Sequence, residues 1–176
     1  MNPPVILIAD AGPLITLAYA DALDTLLLPQ WTVKMVDMVL HELTRSQTPT
    51  SQKIAAWVAT QHLPVCTTRV FQHYQATLAA GELPRKAHLG EWAIQEVITG
   101  LALESVSTRS VLIFEDHKIA KAQFILPDHC QKVSTRAFLL FLEQQGWIES
   151  AQAIEQKALQ AGWAFSRLRF PLEFSE

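Results

Sequence analysis

Two short runs of apolar residues constrain the fold of this chain more strongly than any other feature. The first is Val5-Ile6-Leu7-Ile8-Ala9 and the second is Ser110-Val111-Leu112-Ile113-Phe114. Their residues are mostly apolar at successive positions rather than alternating with polar ones, which predicts strands buried on both faces. Strands of this kind lie in the centre of parallel sheets that are covered by helices.

Segments with helical periodicity alternate with further strand-like segments along the chain. Strands are also predicted at residues 31–36, 65–67 and 131–133. Helices are predicted from Pro13, at 21–28, 37–45, from about 48, at 70–80, 89–103, 118–124, 136–145 with Thr135 as the cap, and 149–160. The alternation indicates βαβ units and a parallel sheet with helices on both faces. Without a repeat or a long linker, the chain is predicted to form one α/β domain.

The composition is that of a globular protein, with 176 residues of which 49% are hydrophobic and 18% charged. A disordered polymer and a coiled coil are thereby excluded. The net charge of -3 argues against nucleic-acid binding by bulk charge, although a local basic patch is compatible with it. Neither a membrane-spanning run nor a signal peptide is predicted. Cys66 and Cys130 form no CxxC motif, so we expect a reducing, cytoplasmic location.

Acidic residues follow both of the buried strands. Asp10 follows the first, and Glu115 and Asp116 follow the later one. In an open parallel sheet, ligands bind beyond the carboxyl ends of the strands, which is where these acids are expected. The alternative is that each aspartate only caps the helix that comes next.

Two further acids, Glu42 and Glu91, lie on predicted helices. Glu42 is in the 37–45 helix, where it is expected either to serve a site or to face Arg45 in solvent. Glu91 is in the first turn of the 89–103 helix, where the helix dipole favours an anion in any case. Taken singly, each of the two is better explained by a structural role than by catalysis.

The order of the short motifs around these acids resembles that of a known family. The chain contains Ile8-Ala9-Asp10-Ala11-Gly12-Pro13-Leu14-Ile15-Thr16, then His41-Glu42-Leu43-Thr44, Leu89-Gly90-Glu91-Trp92-Ala93 and Leu112-Ile113-Phe114-Glu115-Asp116-His117-Lys118. Four motifs in this order and spacing resemble the PIN domain family, and within it the toxin-like ribonucleases of VapC type. The resemblance spans about residues 4 to 146.

The resemblance implies a three-layer α/β/α fold with a parallel sheet of about five strands, here a PIN-like nuclease domain at 1–148. It also implies a nuclease that depends on Mg²⁺ or Mn²⁺, with Asp10, Glu42, Glu91 and Asp116 as the matching acids. Asp10, Glu91 and Asp116 would hold the metal, and Glu42 would position a water or a second ion. Hard divalent cations prefer such oxygen ligands.

The chain departs from the family's pattern at two hydroxyl positions. Relatives often have Ser or Thr where this chain has Gly12, and a hydroxyl residue where it has Phe114. Fewer hydroxyls weaken the support of a metal and its water. The competing hypothesis is therefore a PIN-derived binding module with little or no catalysis. A receiver-type signalling domain is disfavoured. It would need two acids together after the first strand, whereas here Asp10 follows Ala9.

Basic residues near the motifs are the candidates for contact with RNA. Arg85, Lys86 and His88 precede Glu91, and Lys118 follows the last acid; each would either bind phosphates or remain solvated. The tryptophans are expected in the core rather than as platforms for bases; they are Trp31, Trp57, Trp92, Trp147 and Trp163.

The segment 149–176 is predicted to add a helix and an unusually apolar tail. From Arg167 the apolar residues of the tail alternate, as in an extended strand. It would pack on its own domain, join a dimer or bind the edge of a partner. The resemblance implies RNA as a partner, a homodimer, and a small antitoxin protein.

Overall fold

The computed structural model describes residues 4–84, 87–104, 108–115 and 126–162. Its strands are β1 (Val5–Ala9), β2 (Thr32–Val36), β3 (Val65–Cys66), β4 (Arg109–Phe114) and β5 (Cys130–Ser134). Its α-helices are α1 (Ala11–Tyr19), α2 (Asp37–Thr44), α3 (Pro49–Thr60), α4 (Arg69–Ala79), α5 (Leu89–Glu104), α6 (Thr135–Gln144) and α7 (Ala151–Gln160), and a 3-10 helix covers Leu23–Leu27.

The five strands form one parallel sheet in the order β3-β2-β1-β4-β5. Helix α1 packs beside α3, and α4 packs beside α5. The predicted three-layer α/β/α fold with about five parallel strands is thus confirmed. The strand order changes direction between β1 and β4, which makes their carboxyl ends the switch point of the sheet.

The core explains why the two apolar runs become the central strands. Leu7, Leu112 and Phe114 have no exposed surface, and β1 pairs with β4 from Val5↔Arg109 to Ala9↔Ile113. Each fully buried aliphatic or aromatic side chain contributes about 1.5–3 kcal/mol of hydrophobic free energy. A central strand that is apolar on both faces gains this hydrophobic free energy on either side of the sheet.

Helix boundaries follow capping residues, with one correction to the sequence prediction. Ser134, not Thr135, caps α6: its hydroxyl accepts a hydrogen bond from the amide of Ala137 at 3.0 Å. Thr135 is the first helical residue, and its buried hydroxyl donates to the Phe114 carbonyl and the Glu115 carboxylate instead. The predicted helix at 21–28 is the short 3-10 helix, and the chain enters it through Asp21 at a positive φ of 51°.

The segment from residue 149 onward packs against the rest of the fold where the structure describes it. Helix α7 packs against α1 and α6, and Ala151 and Ala158 are fully buried. The predicted helix at 118–124 and the apolar tail at 163–176 lie outside the described residues. No helix in the described ranges is long and apolar enough to cross a membrane.

Candidate functional site

Two buried carboxylic acids lie at the carboxyl ends of β1 and β4. Asp10 is 3% exposed and Glu115 is 4% exposed. The backbone amide of Asp10 donates a hydrogen bond of 3.0 Å to the carbonyl of Ile113, which joins the two chain segments as they leave the sheet. The acids therefore share the crevice at the switch point, where folds of this class bind ligands.

Asp10 occupies the N-cap position of α1 without acting as a cap. Its backbone is extended, with φ at -70° and ψ at 172°, yet its side chain makes no capping hydrogen bond to the helix. A capping aspartate would accept a bond from the amide two or three residues later. Asp10 therefore stands at the cap position, as the capping alternative expects, but its side chain does not cap the helix. Capping does not explain why this side chain is buried.

Glu115 is held by threonine hydroxyls from two helices. Its Oε1 accepts a hydrogen bond from Thr16 of α1 at 2.7 Å and one from Thr135 of α6 at 3.4 Å. The Thr135 hydroxyl also lies 3.3 Å from the carbonyl oxygen of Phe114 as a donor. Glu115 thus links α1, the end of β4 and the start of α6. Glu115 therefore faces the interior of the protein and not the solvent.

Gly12 provides the space that the Glu115 side chain fills. A Cβ atom placed on Gly12 would overlap Cγ of Glu115 and lie 3.5 Å from its Cβ and Cδ. The departure from a hydroxyl residue at position 12 therefore has a steric cause in this chain. Phe114 is fully buried in the core, and the hydroxyls near the strand end come instead from Thr16 and Thr135.

Glycine also allows a close approach between α2 and α5, the helices that carry the other two predicted acids. A Cβ on Gly90 would lie 2.9 Å from Oε2 of Glu42 and 3.6 Å from Val39. The half-buried carboxylate of Glu42 therefore lies against Gly90 in the first turn of α5, the turn that also carries Glu91. Glu42 is thus half-buried rather than fully exposed.

Glu91 has a partner of its own. Its Oε2 lies 2.8 Å from Nδ1 of His88, and both side chains are partly exposed. His88 adopts a left-handed backbone conformation with φ at 62°, which is uncommon for a non-glycine residue and occurs often at functional sites. The histidine turns the chain into α5 and orients the Glu91 carboxylate.

The described structure thus places Asp10 and Glu115 at neighbouring strand ends, and Glu42 and Glu91 on the packed helices α2 and α5. Within residues 4–84, 87–104, 108–115 and 126–162, no three His, Cys, Asp or Glu side chains form a group that could hold a metal ion. The fourth predicted acid, Asp116, lies outside these residues, as do the predicted RNA contacts Arg85, Lys86 and Lys118.

A third acid at a strand end, Asp37 after β2, has a structural role that its position alone does not reveal. Its Oδ1 accepts hydrogen bonds from the Met38 amide at 2.7 Å and the Thr68 hydroxyl at 2.8 Å. Its Oδ2 accepts one from the Thr68 amide at 2.6 Å. Asp37 therefore fixes the start of α2 to the start of α4. A strand-end acid followed by a distant threonine gives no sequence signal for this contact.

His41 is a packed residue of α2. Its ring centroid lies 5.3 Å from that of Phe71 and 5.2 Å from that of Tyr74, and its Nε2 lies 3.4 Å from the tyrosine hydroxyl. Burial, and to a lesser extent the positive charge of Arg45, lower the pKa of His41 below its usual value of 6.5. Both effects favour the neutral form of the imidazole at this position.

Trp92 differs from the prediction that the tryptophans are core residues. It is 52% exposed and borders a groove of about 780 Å³ between α5 and the β3 edge of the sheet. Trp147 is also 43% exposed, whereas Trp57 is buried and Trp31 packs on the core. Trp92 directly follows Glu91 in sequence, but successive residues of a helix do not face each other, so the groove beside Trp92 is distinct from the contact of Glu91 with His88.

Comparison with known proteins adds no relative to this description. No protein-family model matches the chain, and a search of the curated proteins finds no significant match.

Proposed function

We propose that this chain is a divalent-metal-dependent ribonuclease of the PIN type, which hydrolyses RNA phosphodiester bonds. The observation that carries the proposal is the pair of buried acids at the switch point, Asp10 after β1 and Glu115 after β4. Asp116 directly follows Glu115 in sequence. Buried carboxylates are costly to keep, and their concentration where a parallel sheet binds ligands favours a cation-dependent function.

The oxygen atoms near the crevice belong to the chemical groups that bind Mg²⁺ or Mn²⁺ in proteins. Carboxylates are the ligands that these hard cations prefer, and hydroxyls of Thr16 and Thr135 support one of them. When bound, the metal supplies a polarised phosphate and an activated water. Because the described residues alone contain no three-ligand group, the proposed site needs Asp116 as a ligand.

Each acid has a separate task in the proposed reaction. Asp10 and Asp116 would hold the cation from the ends of β1 and β4, and Glu91 would hold it directly or through a water. Glu42, which lies over the first turn of α5, would orient the attacking water. His88 would keep the Glu91 carboxylate in place.

The proposal also includes a substrate and partners. Single-stranded or structured RNA is the substrate class, with Arg85, Lys86 and Lys118 as phosphate contacts. The protein would work in the cytoplasm as a homodimer and as the toxin of a toxin–antitoxin pair, neutralised by a small antitoxin. The free thiols of Cys66 and Cys130 are in keeping with a reducing compartment.

One observation favours a second candidate, a PIN-derived module that binds nucleic acid or protein without cleaving RNA. Glu91 is engaged with His88, and no three His, Cys, Asp or Glu side chains of the described residues form a group that could hold a metal ion. A module of this kind would keep the fold and the crevice, but would lack a complete set of metal ligands.

Titration with Mn²⁺ separates the two candidates. We would measure the melting temperature and the cleavage of a mixed RNA pool for wild type, Asp116→Asn and the control Asp128→Asn. Asp128 is an exposed acid just before β5, at the opposite end of the sheet. The nuclease is expected to be stabilised by Mn²⁺ and to cleave RNA, with both responses lost only in Asp116→Asn. RNA binding without metal response or cleavage would instead establish the binding module.

A further inference from the structure

The groove of about 780 Å³ between α5 and the β3 edge of the sheet is distinct from the crevice at the ends of β1 and β4. One of its walls is the exposed side of α5, from Trp92 to Glu104. The other is formed by Lys34 of β2, Cys66 of β3 and Arg69 at the start of α4. Ligand sites in proteins typically have volumes of about 300–1,000 Å³, so the groove is large enough to hold a ligand.

Trp92 presents an aromatic surface to this groove. Its side chain is 52% exposed, whereas Ala93, Ile94 and Val97 of the same helix are buried in the core. Trp92 therefore lies outside the face by which α5 packs on the rest of the fold. An exposed indole ring in a groove is a surface on which a planar aromatic group can stack.

Two cationic side chains, Lys34 and Arg69, line the groove without an ion-pair partner among the described residues. The carboxylate of Glu96 accepts hydrogen bonds from the backbone amide of Arg69 at 2.9 and 3.1 Å and from that of Val70 at 3.3 Å. Glu96 thus binds the first turn of α4 through its amides. The guanidinium group of Arg69 is left to pair with an anion from outside.

The aromatic ring and the Arg69 cation lie towards the same end of the groove. The amide of Arg69 is bonded to Glu96, which is one helical turn from Trp92 on α5. The other acid of the groove, Glu104, is twelve residues beyond Trp92, a rise of about 18 Å along the helix. The negative charge of Glu104 is therefore remote from the end where an anion would meet Arg69.

The two cations decide which class of ligand suits the groove. An apolar peptide would cover Trp92, but it would also take Lys34 and Arg69 out of water without a counter-charge, which is costly. A single nucleic-acid strand supplies both kinds of group, because planar bases alternate with anionic phosphates along it. Proteins that bind single strands combine aromatic platforms with basic residues in this way.

We propose that the groove binds single-stranded nucleic acid, with a base stacked on Trp92 and phosphates at Arg69 and Lys34. The proposal goes beyond the nuclease function, because it requires neither a metal ion nor the acids at the switch point. It concerns a separate surface of the fold, formed by β2, β3, α4 and α5.

The test measures binding of a fluorescein-labelled single-stranded RNA of about ten nucleotides, a length within the usual site sizes. EDTA is present, so that metal-dependent cleavage does not interfere. The variants are Trp92→Ala, Trp92→Phe, Arg69→Gln and Lys34→Gln, each with its melting temperature. The matched controls are Trp147→Ala, at a tryptophan 43% exposed after α6, and Arg109→Gln, at an exposed arginine that begins β4.

Loss of the stacked base in Trp92→Ala should weaken binding about 5- to 150-fold, and Trp92→Phe, which keeps a ring, should weaken it less. Arg69→Gln keeps the backbone amide that Glu96 binds, so it should fold like wild type. Arg69→Gln and Lys34→Gln should each lower the slope of log affinity against log salt concentration by about 0.7, the value for one phosphate contact on a single strand. Both controls should bind like wild type.

Cys66 gives an independent measure of where the strand lies. Its thiol lines the groove, and the buried thiol of Cys130 at the start of β5 is an internal reference. An excess of the single-stranded RNA should slow the alkylation of Cys66 by iodoacetamide severalfold and leave that of Cys130 unchanged.

Three results would each overturn the inference. Binding of wild-type strength in both Trp92→Ala and Arg69→Gln would place the strand elsewhere on the protein. Equal affinity for the same strand paired with its complement would show that no unpaired base is stacked. A wild-type protein that binds no strand, but forms a dimer that Trp92→Ala dissociates, would assign the groove to a second copy of the chain. The nuclease proposal is tested by metal-dependent cleavage, so it would survive any of these results.

Discussion

Gly12 and Glu115 occupy complementary space at the switch point of the sheet. A Cβ on the glycine would overlap Cγ of the glutamate, whose carboxylate is held by Thr16. The two residues are far apart in sequence, and each accounts for the other: the missing side chain at position 12 is what allows a buried acid after β4. A hydroxyl side chain at position 12 would not fit unless Glu115 moved.

Gly12→Ala should therefore destabilise the protein by about 1–3 kcal/mol, the usual cost of overpacking. Glu115→Ala removes the overlapping atoms, so adding it to Gly12→Ala should restore most of that loss. Urea unfolding of the two single variants and the double variant gives the coupling free energy. A coupling well above about 0.5 kcal/mol is expected. Additive single effects would show that the two side-chain positions do not compete for space.

The architecture was predictable because it depends on local patterns. Two runs that are apolar at successive positions predicted the central strands, and the alternation of strands with helices predicted the parallel sheet. The error at the start of α6 is one residue: Ser134 and Thr135 are both good caps, and only the burial of Thr135 under Glu115 decides between them. Asp21 could not be recognised as a left-handed turn residue from its neighbours.

The site was predictable only in part because its contacts join distant residues. The position of Asp10 at the end of a buried strand was predictable, because it directly follows an apolar run in the sequence. The role of Glu115 depends on a hydroxyl 99 positions earlier and on another 20 positions later. Asp37 and Asp10 have the same sequence context, a strand end before a helix, yet Thr68, 31 residues away, makes the first of them structural. Such pairings arise from the fold rather than from local pattern.

Gly90→Ala tests the contact between α2 and α5. The added methyl group would lie 2.9 Å from Oε2 of Glu42, the flexible end of a side chain, so the carboxylate should move at little cost. We expect a change in stability within about 1 kcal/mol, partly offset by the better helix propensity of alanine. RNA cleavage should fall about tenfold or more, because Glu42 would be displaced. Gly100→Ala, which meets nothing within 4 Å on the same helix, is the matched control and should retain full activity.

His41 should make the stability depend on pH. Burial lowers its pKa, so below about pH 6.5 the unfolded chain binds more protons than the folded one, and the free energy of unfolding falls as the pH falls. His41→Gln cannot titrate and should lose this contribution. Urea unfolding at about pH 7.5 and about pH 5.5 should show a smaller acid-induced loss in the variant than in wild type. Equal losses in both proteins would mean that His41 is not responsible.

Asp10 and Asp37 provide the sharpest comparison between a proposed site acid and a structural acid. Two carboxylates about 5 Å apart repel by roughly 3 kcal/mol at an effective dielectric near 20. Because Asp10 is buried at the strand end beside the one that carries the buried Glu115, Asp10→Asn should leave the metal-free protein equally or more stable while abolishing RNA cleavage.

Asp37→Asn should behave in the opposite way. Both oxygens of Asp37 accept hydrogen bonds, two of them from Thr68, and an amide nitrogen in place of either oxygen would face a donor. The expected cost is about 1–3 kcal/mol of stability, since a buried donor loses its acceptor. Cleavage per folded molecule should stay near that of wild type. Unfolding curves in EDTA together with RNA cleavage measure both effects, and an Asp10→Asn variant that is clearly destabilised yet fully active would reverse the assignment of the two acids.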